Sequence, residues 1–131
     1  MRKIEFFLPM IPPTATAQEH KLDTRGKRPR VYDPPAVCEA RAKLTAYLAA
    51  HTPQEPFEGA VRLVVKWCFP RGRHPDGAYK TTRPDTDNLQ KLLKDCMTRL
   101  GYWHDDAQVA SEIAEKFWAE VPGIYVAVTV P

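Results

Sequence analysis

From Val61 to Phe69 every second residue is apolar: Val61, Leu63, Val65, Trp67 and Phe69 fall on one side of an extended chain. That period fits a strand with one well-buried face and does not fit a helix. Further on, Leu89, Leu92, Leu93, Cys96, Met97 and Leu100 recur at helical spacing, and Gly101 is placed to end the helix. A half-buried strand followed by an amphipathic helix calls for a layered fold. The remaining segments fill it in. Ile4, Phe6 and Leu8 read as a first strand stopped by Pro9 and Pro12-Pro13, and residues 10–34 as a polar, basic loop. Asp33 is a candidate N-cap for a helix carrying Val37, Ala40, Leu44, Tyr47 and Leu48, closed by Pro53. Residues 70–84 read as an exposed loop able to move. Two strands, Val109 to Glu120 and Ile124 to Val130, join at Val121-Pro122-Gly123. The order β-α-β-α-β-β predicts an α+β fold with a mixed small sheet and two helices, and the 131 residues suit a single domain over 1–131.

The formal charge of +3 is mild, but its distribution is uneven. Lys21, Arg25, Lys27, Arg28 and Arg30 lie within ten residues, opposed only by Asp23. Arg71, Arg73, Lys80 and Arg83 make a second basic stretch, and acidic residues concentrate from Asp85 to Glu120. Basic loops around an acidic centre suit a polyanion guided onto a bound cation. The 3 cysteines are odd in number and form no C-x-x-C pair, which argues against a disulfide framework and a thiolate zinc site. No signal-like opening and no apolar run of about 18 residues is found. A cytoplasmic protein without a membrane partner is the expectation.

The chemistry concentrates in Asp85-Thr86-Asp87-Asn88, with Asp106 following Asp87 by 19 residues. In an extended segment Asp85 and Asp87 project to the same side. Asp87 also reads as the N-cap of the second helix, with Gln90 at the capping-box position. That helix and an extended return of 101–106 each cover roughly 20 Å, so Asp105 and Asp106 can come back beside its N-terminus. Being adjacent, only one of the two should join the cluster; a solvated turn is the plainer reading of the pair. Gathered carboxylates repel unless a cation joins them, and hard divalent cations take oxygen ligands. Lys91, one turn after Asp87 on the same helix face, is either a surface ion-pair partner or an oriented charge for a phosphate. Lys94 reads as solvated, and Asp95 as a partner of Lys91 or Arg99. Lys116 shares a strand face with Ala114 and Trp118, so it is an edge charge or it answers an acidic cluster or a phosphate.

Arg83-Pro84-Asp85-Thr86-Asp87-Asn88-Leu89-Gln90-Lys91, then Asp95, then Gly101-Tyr102-Trp103-His104-Asp105-Asp106-Ala107-Gln108-Val109, resembles the core of the RusA-type Holliday junction resolvases. The resemblance runs ungapped to Lys116. It implies a homodimeric, Mg²⁺-dependent endonuclease, with Mn²⁺ able to substitute, that resolves four-way junction DNA by paired symmetric nicks in recombination and repair. It further implies a bacterial, phage or prophage origin and no nucleotide cofactor. By the same resemblance Asp85, Asp87 and Asp106 are metal-binding catalytic residues, Lys91 is the essential basic residue, and Asp105 is secondary. Nucleic-acid contacts fall to Arg25, Lys27, Arg28, Arg30, Arg83 and Lys116. The alternative is a non-catalytic junction-binding module of prophage origin. Two other nuclease patterns fail: Gly123-Ile124-Tyr125 lacks a second half and reads as strand, and Ala114-Glu115-Lys116 lacks the acid two residues before its lysine that a PD-(D/E)xK site needs.

Overall fold

The computed structural model describes residues 2–16, 21–23, 30–32 and 34–131, with backbone alone for 21–23 and 30–32. The alternating run becomes β4 (Val61–Pro70). Its Val61, Leu63, Val65, Trp67 and Phe69 are at most 3% exposed. They pack on α2 (Thr86–Leu100), whose Leu89, Leu92, Leu93, Cys96 and Met97 are all buried. Leu44 and Leu48 of α1 (Pro35–Ala49) join the same cluster. Fully burying each such side chain contributes roughly 1.5–3 kcal/mol, so this one core dominates the fold.

β1 (Lys3–Leu8), β5 (Val109–Ala119) and β6 (Gly123–Thr129) complete a four-stranded sheet in the order β1-β6-β4-β5. β4 and β5 run parallel with α2 as their crossover; the β4–β6 and β1–β6 pairs are antiparallel. β5 and β6 are consecutive in the chain and do not pair, because β4 lies between them. The connection 120–122 must therefore cross two strand spacings, about 9.6 Å, which four Cα steps of 3.8 Å span.

The α+β class and the main order follow the sequence reading, with three differences. First, the 10–34 segment contains an antiparallel pair, β2 (Lys21–Asp23) with β3 (Arg30–Tyr32), too short for period two to register. Second, α1 takes Pro34 as N-cap with no side-chain cap, proline occupying its first turn; Asp33 lies outside the described residues. Third, residues 71–84 are tied down rather than loose. The segment 77–80 runs antiparallel along the outer edge of β5: Gly77 N donates to Trp118 O (2.8 Å), Trp118 N to Ala78 O (2.8 Å) and Lys80 N to Lys116 O (3.0 Å). His74 stacks on Trp118 at 4.0 Å, Tyr79 on Phe117 at 5.1 Å, and Arg71 pairs with Glu120. Among the described residues no helix is long and apolar enough to cross a membrane.

Candidate active site

The N-terminus of α2, the turn before β5 and the helix-facing side of β5 converge on a cleft of about 560 Å³. Asp87, Lys91 and Asp106 line it together with Gln90, Lys94, Asp95 and Glu112. Three sequence-predicted residues are thus brought to one place. Asp85 is exposed at the N-cap of α2 and does not line the cleft. This corrects the assignment of Asp87 as the cap. The helix starts at Thr86, Asp85 O accepts from Leu89 N at 3.1 Å, and Asp87 sits in the first turn. There its carboxylate still benefits from the positive end of the helix dipole. Asp85 and Asp87 have the same capping chemistry, so the sequence alone does not choose between them.

Gln90 cannot serve as a capping-box partner, because its amide is used in the core. It is 4% exposed. The Trp67 indole N–H, which can only donate, gives its proton to Gln90 Oε1 (2.7 Å); Gln90 Nε2 then donates to Glu112 Oε2 (2.7 Å). Lys94 Nζ donates to the other oxygen, Glu112 Oε1, at 2.9 Å, so Lys94 is paired rather than solvated. Glu112 was not singled out in the sequence. In the β4–β5 register, Glu112, Ala114, Lys116 and Trp118 stand beside Leu63, Val65, Trp67 and Phe69 on the helix-facing side. Extending the period-two pattern back from Lys116 would have found it.

Asp106 is held by the turn that carries it. Tyr102 and Trp103 are buried anchors, at 0% and 1% exposure, just after α2. Asp105 caps the short 3-10 turn 106–108 by accepting from Ala107 N at 2.9 Å, so it is structural, and Asp106 alone turns to the cleft. Gln108 completes the capping box, accepting from Asp105 N, and donates to Phe57 O (2.9 Å) and Gly59 O (3.0 Å).

Two lysines, one before Asp85 in the chain and one after it, hold the segment 82–84 that leads into Asp85. Lys116 Nζ donates to Thr82 O (2.6 Å) and Pro84 O (2.8 Å). Lys80 Nζ donates to Thr82 Oγ1 and Arg83 O, each at 2.5 Å. Burial, and secondarily the Lys116 charge, lower the Lys80 pKa from its ordinary value. Of the other predicted DNA contacts, Arg83 is exposed next to Asp85, Arg30 lies in β3, and Arg25, Lys27 and Arg28 fall outside the described residues.

Among the described residues, the carboxylates of Asp85, Asp87 and Asp106 and the ammonium of Lys91 have neither a hydrogen-bond nor an ion-pair partner. Their neighbours Glu112, Asp105, Lys94, Lys80 and Lys116 are all engaged. Among the described residues no three His, Cys, Asp or Glu side chains are gathered so as to hold a metal ion. The available donors are hard carboxylate oxygens, the chemistry Mg²⁺ prefers, and among the described residues they have no competing partner.

The family model for Endodeoxyribonuclease RusA matches residues 10–129. A phage protein, the crossover junction endodeoxyribonuclease rusA of Lactococcus phage r1t, is 37% identical over 89 residues, covering 66% of this chain and 68% of its own. The uncharacterized protein YqaN of Bacillus subtilis (strain 168) is 32% identical over 88 residues, covering 58% and 61%. A parallel β-α-β unit whose helix presents carboxylates and an ammonium unpaired among the described residues defines an acidic site on an α+β frame. The chain belongs to the RusA endodeoxyribonuclease family.

Proposed function

We infer that the chain is a structure-specific endonuclease that resolves four-way DNA junctions by paired, symmetric nicks. What carries the reading is the convergence of Asp87, Lys91 and Asp106 on one cleft, without partners among the described residues, in a chain of this family. Asp87 and Asp106, which line the cleft, would hold Mg²⁺, or Mn²⁺ in its place; Asp85 stands outside the cleft at the N-cap of α2. A bound divalent ion supplies an acidified water and Lewis-acid polarisation of the phosphate.

The remaining work belongs to the chain. Lys91 projects its ammonium into the cleft one helical turn from Asp87, where it stabilises charge developing on the phosphate oxygens. Glu112 neutralises Lys94, so the cleft presents Lys91 as its uncommitted cation among the described residues. Arg25, Lys27, Arg28, Arg30 and Arg83 contact backbone phosphates and fix the register of the DNA without reading sequence. Assembled as a two-fold homodimer, the protein offers one cleft to each of two opposed strands of a two-fold junction.

The test is incubation with a labelled synthetic four-way junction and a matched linear duplex, with Mg²⁺ and with EDTA. Paired nicks in the junction alone, dependent on Mg²⁺ and abolished by Asp87→Asn, are the expected result. Tight junction binding without nicking across several divalent metals would instead identify a non-catalytic junction-binding module.

A further inference from the structure

Lys80 and Lys116 form an arrangement that the cleft chemistry does not use. Lys80 is 8% exposed, and among the described residues neither lysine meets a carboxylate. Burying an ammonium without a counter-charge is unfavourable unless its protons are taken up. Here they are taken up by three consecutive residues, Thr82, Arg83 and Pro84, through the four short bonds given above. Lys80 lies over the Trp118 ring at 4.5 Å and the Phe69 ring at 5.1 Å, which holds its stem and offsets part of the cost of burial. The two lysines are also tied to each other, since Lys80 N donates to Lys116 O at 3.0 Å in the pairing of segment 77–80 with β5. The sheet edge thus builds one rigid pair of ammonium groups, and the pair grips the segment that ends at Asp85.

We propose that Lys80 and Lys116 are positioning residues that clamp the Thr82–Pro84 backbone and thereby set where Asp85 and the first turn of α2 stand relative to Asp106. This deepens the endonuclease reading and rests on it. It differs from the phosphate-contact role for Lys116 that the family resemblance implies. Two of the three Lys116 protons are engaged within the protein, and the lysine acts on DNA only through the acidic residues it places.

The test compares wild-type protein with Lys116→Met and Thr82→Val. Thr82→Val keeps every cation while removing one acceptor of the clamp. Circular dichroism and thermal melting verify folding. Hydrogen–deuterium exchange of the peptide spanning 81–92 reads the clamp whether or not DNA is cut. Junction affinity as a function of salt, kcat under saturating junction, and the Mg²⁺ concentration for half-maximal rate complete the comparison.

Positioning predicts faster exchange at 81–92 in both variants, unchanged junction affinity and salt slope, and a kcat lower by about 10–100-fold for Lys116→Met, the scale of an ångström-level misplacement. A phosphate contact predicts weaker binding and a salt slope smaller by about 1 with exchange unchanged, which would overturn the proposal. Unchanged exchange in both variants overturns it as well. If wild-type protein binds and does not cut, the endonuclease reading fails, while exchange still decides whether the clamp exists.

Discussion

Lys91 reaches the cleft from the turn of α2 just beyond Asp87, and among the described residues nothing inside the protein competes for its charge. Lys91→Ala should leave melting and junction binding intact while single-turnover cleavage slows by roughly 10²–10³-fold, as for loss of one oriented transition-state donor. Near-normal cleavage would reduce Lys91 to a surface charge. Gln90 makes a contrasting prediction. Gln90→Leu strands the buried Trp67 N–H and one oxygen of Glu112, so the urea midpoint should fall by the equivalent of about 1–3 kcal/mol. The Lys94–Glu112 pair is worth far less, since both side chains keep a quarter of their surface in water. Asp87 and Lys91 were legible in the sequence because their relation is local, one turn of helix. Glu112 and Lys80 were not, because their roles depend on which residues of β5 stand beside β4 and on a pairing along the sheet edge that no local spacing encodes.

At the level of elements, α2 is delimited by chemistry that differs at its two ends. Gly101 adopts φ 91°, and its N–H donates to Met97 O and Thr98 O. A Cβ there would meet nothing within 4 Å, so Gly101→Ala isolates the backbone term. Thermal melting should report a loss of about 1–2 kcal/mol. The glycine stop was readable because one residue type serves that conformation best. The start lies at Thr86 with Asp85 rather than Asp87 as its N-cap, a choice the sequence does not make because the two aspartates offer the same capping chemistry. Just past Gly101, the buried Tyr102 hydroxyl donates to Leu48 O at 2.6 Å and ties the end of α2 to the end of α1. Burial pushes its pKa from 10 up to about 12. A folded-state value above the unfolded one means full stability below pH 10, lost as pH rises toward 12. Urea midpoints measured from pH 8 to 12 should therefore decline more steeply in wild-type protein than in Tyr102→Phe.

For the whole molecule, DNA engagement should be electrostatic. Junction affinity should fall linearly with log salt concentration, and Arg83→Ala should reduce that slope by about 1 while lowering affinity on every junction sequence. Binding isotherms at several salt concentrations provide the check. The order of elements was recoverable from hydrophobic periodicity, since β4 and α2 carry strong and different periods. The order of strands in the sheet was not. Nothing in the spacing of β5 and β6 says that β4 separates them, and the segment 77–80 lacks the apolar alternation that would mark it as paired. The placement of β6 also bears on how this enzyme is made. It sits between β1 and β4, and Tyr125 reaches back 120 residues to donate to Glu5. Such distant pairing makes closure of the sheet a late event. On a translating ribosome the aspartates, Lys91 and the whole of β5 emerge before β6, yet the frame that holds them is incomplete until β6 follows. A nascent chain thus carries the aspartates and Lys91 before the sheet that positions them has closed.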